Sequence, residues 1–236
     1  MYCLVGGTDV SGDIGSISTI HGGPAVLDFT DITQSAHERQ GGLRDGEMAF
    51  DAYFNPGRLH PVASALPTGD EIVTVLVGQA IGNSSACINA KQINYDPKRG
   101  TDGSFMFTIQ AQANSYGLEW GDQLTAGTRT DTAATNGTSL DGLAATTFGL
   151  QAYLQVTAFT GTDVTVKIQD SADNGSFADL SGAAFAQITG GAPLAQRIAV
   201  TGTVRRYLHV STVTTGGFTS VSFQVTAIRN QTAVAF

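Results

Sequence analysis

Four histidines, two cysteines and one Asp/Asn-rich loop are the residues from which this chain could build chemistry. Nucleophilic hydrolysis needs a nucleophile, a base and an orienting acid in mutual reach. His21, His37, His60 and His209 lie in four different segments, and no GxSxG elbow accompanies them. A triad therefore assembles only by free choice of partners. His37 reads as a polar residue on a short surface helix, and His209 as an outward strand position beside Arg205 and Arg206. Cys3 and Cys87 are far apart and match no metal spacing and no CxxC motif, so buried free thiols are expected. The loop Asp170-Ser171-Ala172-Asp173-Asn174-Gly175 has calcium-loop residues but lacks the alternating oxygen ligands and the terminal Glu. Asp, Asn and Gly are turn formers, so a β-turn is expected there, with a sandwich-edge calcium site as the alternative. No GxxxxGK[ST] or strand–GxGxxG–helix pattern occurs. The expectation is a protein that is not an enzyme and holds no cofactor and no metal.

Composition narrows the class further. Glycine is abundant (29), lysine is limited to Lys91, Lys98 and Lys167, and only 14% of residues are charged. Such a turn-rich and β-branched chain favours an all-β protein. No apolar run approaches the roughly 18–20 residues needed to span a bilayer. MYCLVGG lacks a basic segment followed by a long apolar core, which predicts use in a cytoplasm rather than secretion. The sequons at Asn83, Asn136, Asn174 and Asn230 then read as turn and strand composition. Residues 1–127 hold 14 acidic and 6 basic side chains, while 128–236 hold 6 of each. The charge shift predicts two domains, 1–127 and 146–236, with 128–145 as linker or extended arm. Arg205-Arg206 and Lys98-Arg99 are only pairs, so no basic patch for nucleic acid is present. An acidic surface would instead repel phosphate and let DNA slide past.

The elements follow from periodicity and punctuation. Short strands are predicted at Ile14–Ile20, Ala25–Phe29, Met48–Phe54, Glu71–Val77 and Ala86–Tyr95, the last ended by Asp96-Pro97. Thr33 or Ser35 as N-cap, Glu38 in the first turn and Gly41 past the end predict a short helix over Ser35–Gln40. Gly41-Gly42 then breaks the chain and Asp45-Gly46 turns it. Leu59–Leu66 is bracketed by prolines and reads as a loop with one helical turn; Pro67-Thr68-Gly69-Asp70 reads as a turn. Lys98 to Gly103 is a hairpin-type turn. Ser104–Asn114 alternates cleanly, with Phe105, Phe107, Ile109, Ala111 and Ala113 on one face. From Thr146, apolar positions Phe148 to Ala158 alternate, and Val164–Ile168, Ala184–Ile188, Gln196–Val200, Tyr207–Val213 and Val221–Ile228 supply further strands. Turn signals every eight to twelve residues indicate a β-sandwich.

Residues 9–127 carry a pattern of order and spacing. Val10-Ser11-Gly12 leads to a strand ending at Ile20, LDFTDIT follows at Leu27–Thr33, then the charged segment, then Gly42-Leu43-Arg44-Asp45-Gly46 and an aromatic strand. This order resembles the tail tube (major tail) proteins of long-tailed bacteriophages, and 146–236 resembles the β-sandwich appendages that some of them carry. The resemblance implies an all-β fold: a tube-type β-sandwich flanked by one short helix, then a second β-sandwich. It implies six copies in a ring, inner strands closed into a barrel without free edges, and rings stacked into a virion tube that conducts DNA. Partners would be further copies of the chain and other tail proteins such as tape measure and tail terminator, with no membrane. Leu43–Arg58 would form the ring and stacking contact, with the Ser35–Gln40 helix at the subunit boundary. Glu38, Arg39, Arg44, Asp45 and Glu47 would set register by paired charge, Phe50 and Phe54 would anchor, and Leu43 and Arg58 would belong to the same contact. The proline-broken loop after Phe54 departs from the pattern. Two other readings compete: a C-terminal module recognising glycan or a cell surface, for which Tyr153, Tyr207 and Phe218 are few and scattered, and another virion part such as a capsid decoration protein.

Overall fold

The computed structural model describes residues 1–65 and 69–234. Of the turn expected at Pro67–Asp70, Pro67 and Thr68 lie outside the described residues, as does Leu66. In chain order the elements are β1 (Tyr2–Val5), β2 (Thr8–Asp9), β3 (Ile14–Asp28), β4 (Arg39–Tyr53), α1 (Leu59–Ala63), β5 (Glu71–Leu76), β6 (Ser84–Arg99), β7 (Phe105–Ala113), β8 (Glu119–Gln123), β9 (Arg129–Asp131), β10 (Leu140–Asp141), β11 (Leu150–Gly161), β12 (Thr165–Ser171), β13 (Ala178–Ala184), β14 (Leu194–Val200), β15 (Tyr207–Val213) and β16 (Phe218–Arg229). The protein is all-β, as its composition predicts, with one short helix among the described residues.

That helix is not where the capping signals place it. Residues 35–40 hold no helix; they close the loop between β3 and β4 and enter β4. Local side chains compete for the backbone there. Asp28 accepts from the Thr30 amide and hydroxyl, Asp31 accepts from the Thr33 amide at 2.7 Å, and the Glu38 amide donates to Thr30 Oγ1 at 2.9 Å. A six-residue helix has too few internal hydrogen bonds to outlast that competition. α1 instead forms in the proline-bracketed stretch, where Leu59 and Ala63 are buried.

The chain divides into two compact units: Met1–Gly12, Ile72–Cys87 and Trp120–Phe236 in one, Asp13–Glu71 and Ile88–Glu119 in the other. The units interleave along the sequence, whereas the charge shift divides the chain consecutively at 127 and 146.

The first is a sandwich. One layer contains β14, β11 and β16 side by side, with β9 on β16; the other is β10-β15-β12-β13. Leu150, Ala152, Leu154, Val156, Phe223 and Val225 from one layer and Val164, Val166, Ile168, Leu208 and Val210 from the other form the buried core. The second face of β11 is buried too. Tyr153 packs with Ile72 and Cys87. The Gln155 amide accepts from Gly7 N at 2.6 Å and donates to Ile72 O and Thr74 Oγ1 at 2.9 and 3.0 Å. Those bonds give the physical reason why 1–12 and 72–87 fold with the C-terminal half. Gly7, at φ +85°, has no room for a Cβ against Val156 O and Leu194. Segment 128–145, expected as a linker, carries β9 and β10. Arg129 forks onto Asp131 at 2.7 Å through both nitrogens, and Thr212 Oγ1 donates to Asp131 at 2.8 Å. Of the strand expected at Ala184–Ile188 only Ala184 lies in a strand, β13; beyond it Phe185 N donates to Val166 O and Val164 and Ile188 form an isolated bridge.

The Asp170–Gly175 loop is a turn. Asp173 Oδ1 accepts from Gly175 N, Ser176 N and Ser171 Oγ, and Asp170 holds Arg205. The same hydrogen bonds, with those from the Ser176 and Gly175 amides largest, depress the Asp173 pKa to about 2. The Arg206 fork depresses Asp141 to about 2. A depressed carboxylate stabilises the fold above its unfolded pKa, near 4, and that contribution is lost as pH falls through the folded value. Sandwich stability is therefore expected to hold down to about pH 4 and to decline between about pH 4 and 2, read from the fluorescence of Trp120, the only tryptophan. A stability independent of pH across that window would contradict these pairings.

Cys3 is buried, and that burial pushes its thiol to about 12. Native protein at pH 8 is expected to leave Cys3 unalkylated by iodoacetamide, with full reaction after denaturation; mass spectrometry reads the difference.

The second unit is built on β4, which pairs with β3 on one side and β7 on the other, with β7 continuing to the C-terminal half of β6. Pro97 does not end β6; it pairs with Phe107 near the hairpin tip. Met48, Phe50, Ala52, Phe107, Ile109 and Ala111 are among its buried residues. α1 joins the sheet through His60, whose Nδ1 lies 2.9 Å from Tyr95 Oη, and through Gln92 Nε2, which donates to Ala63 O at 2.7 Å.

Candidate assembly interface

β3 and β4 form one hairpin of fifteen residues a side, paired from Ile14↔Ala52 to Asp28↔Arg39. The expected break at Gly41-Gly42 and turn at Asp45-Gly46 are absent, since all four residues lie within β4. Likewise the strands expected at Ile14–Ile20 and Ala25–Phe29 are one, β3, which ends at Asp28. The glycines do not end a strand whose partner runs the same length; register shifts absorb the irregularity at three places.

Support for the hairpin is uneven. β7 pairs with β4 only from Glu47 to Tyr53. Outward of Glu47 the hairpin is two strands and a loop. An isolated two-stranded hairpin is marginally stable in water. This outer part nevertheless exposes Val26 (68%), Phe29 (58%), Leu43 (88%), Leu27 and the fully exposed Ile32. Its tip is closed by polar bonds: His37 Nδ1 lies 3.0 Å from Asp28 Oδ2, and Phe29 N donates to Glu38 O at 2.9 Å. Thr30, first through its side chain, holds the Asp28 pKa below the ordinary range, and Thr33 does the same for Asp31. His37 thus sits in a hairpin loop and not on a helix. We refer to residues 23–45 as the arm.

The residues expected at a subunit contact fall into three groups. Glu38, Arg39, Leu43, Arg44 and Asp45 lie on the arm and are exposed. Glu47 sits on the supported part, where its Oε1 accepts from Gln110 Nε2 at 3.2 Å. Phe50 is 2% exposed. It belongs to the unit's own core and has no surface for a partner, so its expected anchoring role is corrected. Phe54 is partly exposed within an aromatic group, 5.0 Å from the His60 ring and 5.6 Å from Phe105. Arg58 precedes α1, with Nε 3.9 Å from Asp13. The sequence reading assigned no contact role to Val26, Leu27, Phe29 and Ile32. Their signal was present: apolar side chains in a stretch otherwise made of Gly, Pro, Asp and Thr.

The supported part of the sheet has one polar face whose side chains hold each other. Thr108 Oγ1 donates to Asp51 at 2.6 Å, Ser16 Oγ lies 3.3 Å from the same carboxylate, and Asn94 Nδ2 reaches Gln110 and Asp96 at 3.1 and 3.0 Å.

One further expectation changes. His209 is buried, stacked on Phe177 at 4.0 Å with Nε2 2.7 Å from Gln169 Oε1, and burial lowers its pKa. Tyr153 is fully buried and cannot serve a sugar platform. Among the described residues no helix is long and apolar enough to cross a membrane.

No protein-family model matches this chain, and no curated protein does. Solved structures do. One is a chain of the virion of a native gene transfer agent particle, at 12% identity and a TM-score of 0.40, covering 50% of this chain and 94% of that one. Another is the SPP1 Dit (gp 19.1) protein, described as a paradigm of the hub adsorption apparatus in phages infecting Gram-positive bacteria, at 12% identity and a TM-score of 0.36, covering 97% and 99%.

Proposed function

We propose that this chain is a structural subunit of a bacteriophage virion. It polymerises as stacked, hexameric rings into a tail tube whose lumen conducts DNA during ejection. It carries out no catalysis; its partners are further copies of itself and other tail proteins, and residues 146–236 face outward from the tube. One observation carries the reading: a hairpin of fifteen residues a side leaves its supporting strand at Glu47 and presents Val26, Leu27, Phe29, Ile32 and Leu43 to solvent. Two strands with that much exposed apolar surface gain stability by seating on another protein. The arm coincides with the LDFTDIT and GLRDG segments on which the resemblance to tail tube proteins rests. The expected helix is missing from that pattern, and the hairpin tip occupies its place. The acidic excess of 1–127 fits a channel that DNA crosses without adhering. Sedimentation velocity across a concentration series tests the first step: discrete growth to ring-sized species supports the reading, and a single monomer boundary throughout opposes it.

A further inference from the structure

The arm leaves its supporting strand at a single rung, and that rung is built from two glycines. Gly22 and Gly46 are cross-strand partners. Leu118 lies directly on both. A Cβ at Gly22 would come within 2.6 Å of Leu118 Cβ, and one at Gly46 within 2.6 Å of Leu118 Cβ and N. A Cβ at Gly117 would lie 3.0 Å from Arg44 Cβ and 3.1 Å from Asp45 O. The backbone of 117–118 therefore rests on the hairpin at a distance that only side-chain-free positions permit. Three more features meet there. Leu118 is buried, its amide donates to Asp45 O at 3.4 Å, and Arg44 Nη1 lies 3.8 Å from Glu119 Oε1, a carboxylate 2% exposed. One residue further in, at Glu47, β7 takes over support of β4.

We infer that Leu118, seated in the Gly22–Gly46 notch and flanked by the Arg44–Glu119 pair, is a clamp that sets the direction of the arm. It makes the outer hairpin a positioned projection rather than a free flap. The inference concerns the protomer and holds whether or not the chain forms tubes. Its mechanical content is specific. The notch ties both strands to one side chain, so the arm cannot swing as a unit without lifting Leu118 out. Holding a docking element in its bound direction beforehand reduces the ordering cost of association. Leu118, Arg44 and Glu119 are then positioning residues that need touch no partner.

Amide hydrogen exchange on the full chain tests this from two opposite sides. Leu118→Ala removes the Cγ and Cδ2 atoms that cover Gly22, and Gly22→Ala places a methyl group within 2.6 Å of Leu118 Cβ, which must then move away. Both are expected to speed exchange of the amides at 20–22 and 45–48 by about tenfold or more, while amides of β11 and β16 keep their wild-type rates. Limited proteolysis should then extend from the 29–38 tip inward to the arm base. Unchanged exchange at 20–22 and 45–48 in folded variants overturns the inference. Should Leu118→Ala fail to fold, Gly22→Ala alone decides, since it removes no core side chain.

Discussion

Replacing Val26, Leu27, Phe29, Ile32 and Leu43 together with serine is expected to abolish assembly while leaving the protomer folded. All five side chains are exposed in the protomer, so their removal costs the isolated chain little. In an interface the balance reverses. Fully burying a large apolar side chain contributes about 1.5–3 kcal/mol. Half-burial of the five then contributes on the order of 5 kcal/mol, more than about a thousandfold in an association constant. Sedimentation velocity should show monomer where wild-type chain shows larger species, with the same melting transition for both. Wild-type assembly by the serine variant would remove the arm from the interface and leave its exposed surface without a role.

The second large effect is on stability. Phe223→Ala is expected to destabilise the sandwich unit by about 3–5 kcal/mol, the usual cost of emptying a buried aromatic site. Phe223 is fully buried in the core between the two layers and pairs with Val156 on β11 and Arg129 on β9. The Arg129 guanidinium lies 5.4 Å from the ring centroid, so truncation also removes a cation–π contact. Against a typical total of about 5–15 kcal/mol, such a loss brings the unit near its threshold. Phe223→Leu keeps most of the volume and should cost far less. Urea unfolding followed by Trp120 fluorescence should give a lower midpoint with an unchanged slope. An alanine variant as stable as the leucine variant would contradict the packing described.

Arg44 now needs a different reading from its neighbours on the arm. Sequence reasoning makes Arg44→Glu a probe of charge register between subunits. In the structure Arg44 faces buried Glu119 of its own chain. The substitution sets two carboxylates against each other at the clamp and so tests arm direction and subunit contact at once. Arg39 and Glu38, on the outer arm, isolate the second effect.

Periodicity made strands of both units legible. β7, β11, β12, β15 and β16 stand where alternation of Phe107–Ala111, Leu150–Val156 and Val221–Val225 places them, because an apolar face must find a partner face. What escaped was long-range. The pairing of β3 with β4 is set by register over fifteen residues, and the Gly and Pro residues within each strand look locally like breaks. The side-chain oxygens of Asp28, Thr30 and Asp31 serve a hairpin tip as readily as such oxygens serve a helix start, since both need side chains that accept from amides. The joining of 1–12 and 72–87 to the C-terminal half depends on what covers Gln155 and Tyr153, which no local pattern reports. Leu118 was invisible for the same reason: a leucine between Gly117 and Glu119 gives no hint that it sits on two glycines some seventy to one hundred residues earlier.

The measurement that bears most directly on the proposed role is electron microscopy of the purified full chain at high concentration. Rings stacked into tubes with an open lumen are the expected result, with the five-serine arm variant showing none. Isolated protomers in every field, for the wild type under all assembly conditions, would contradict the tube reading.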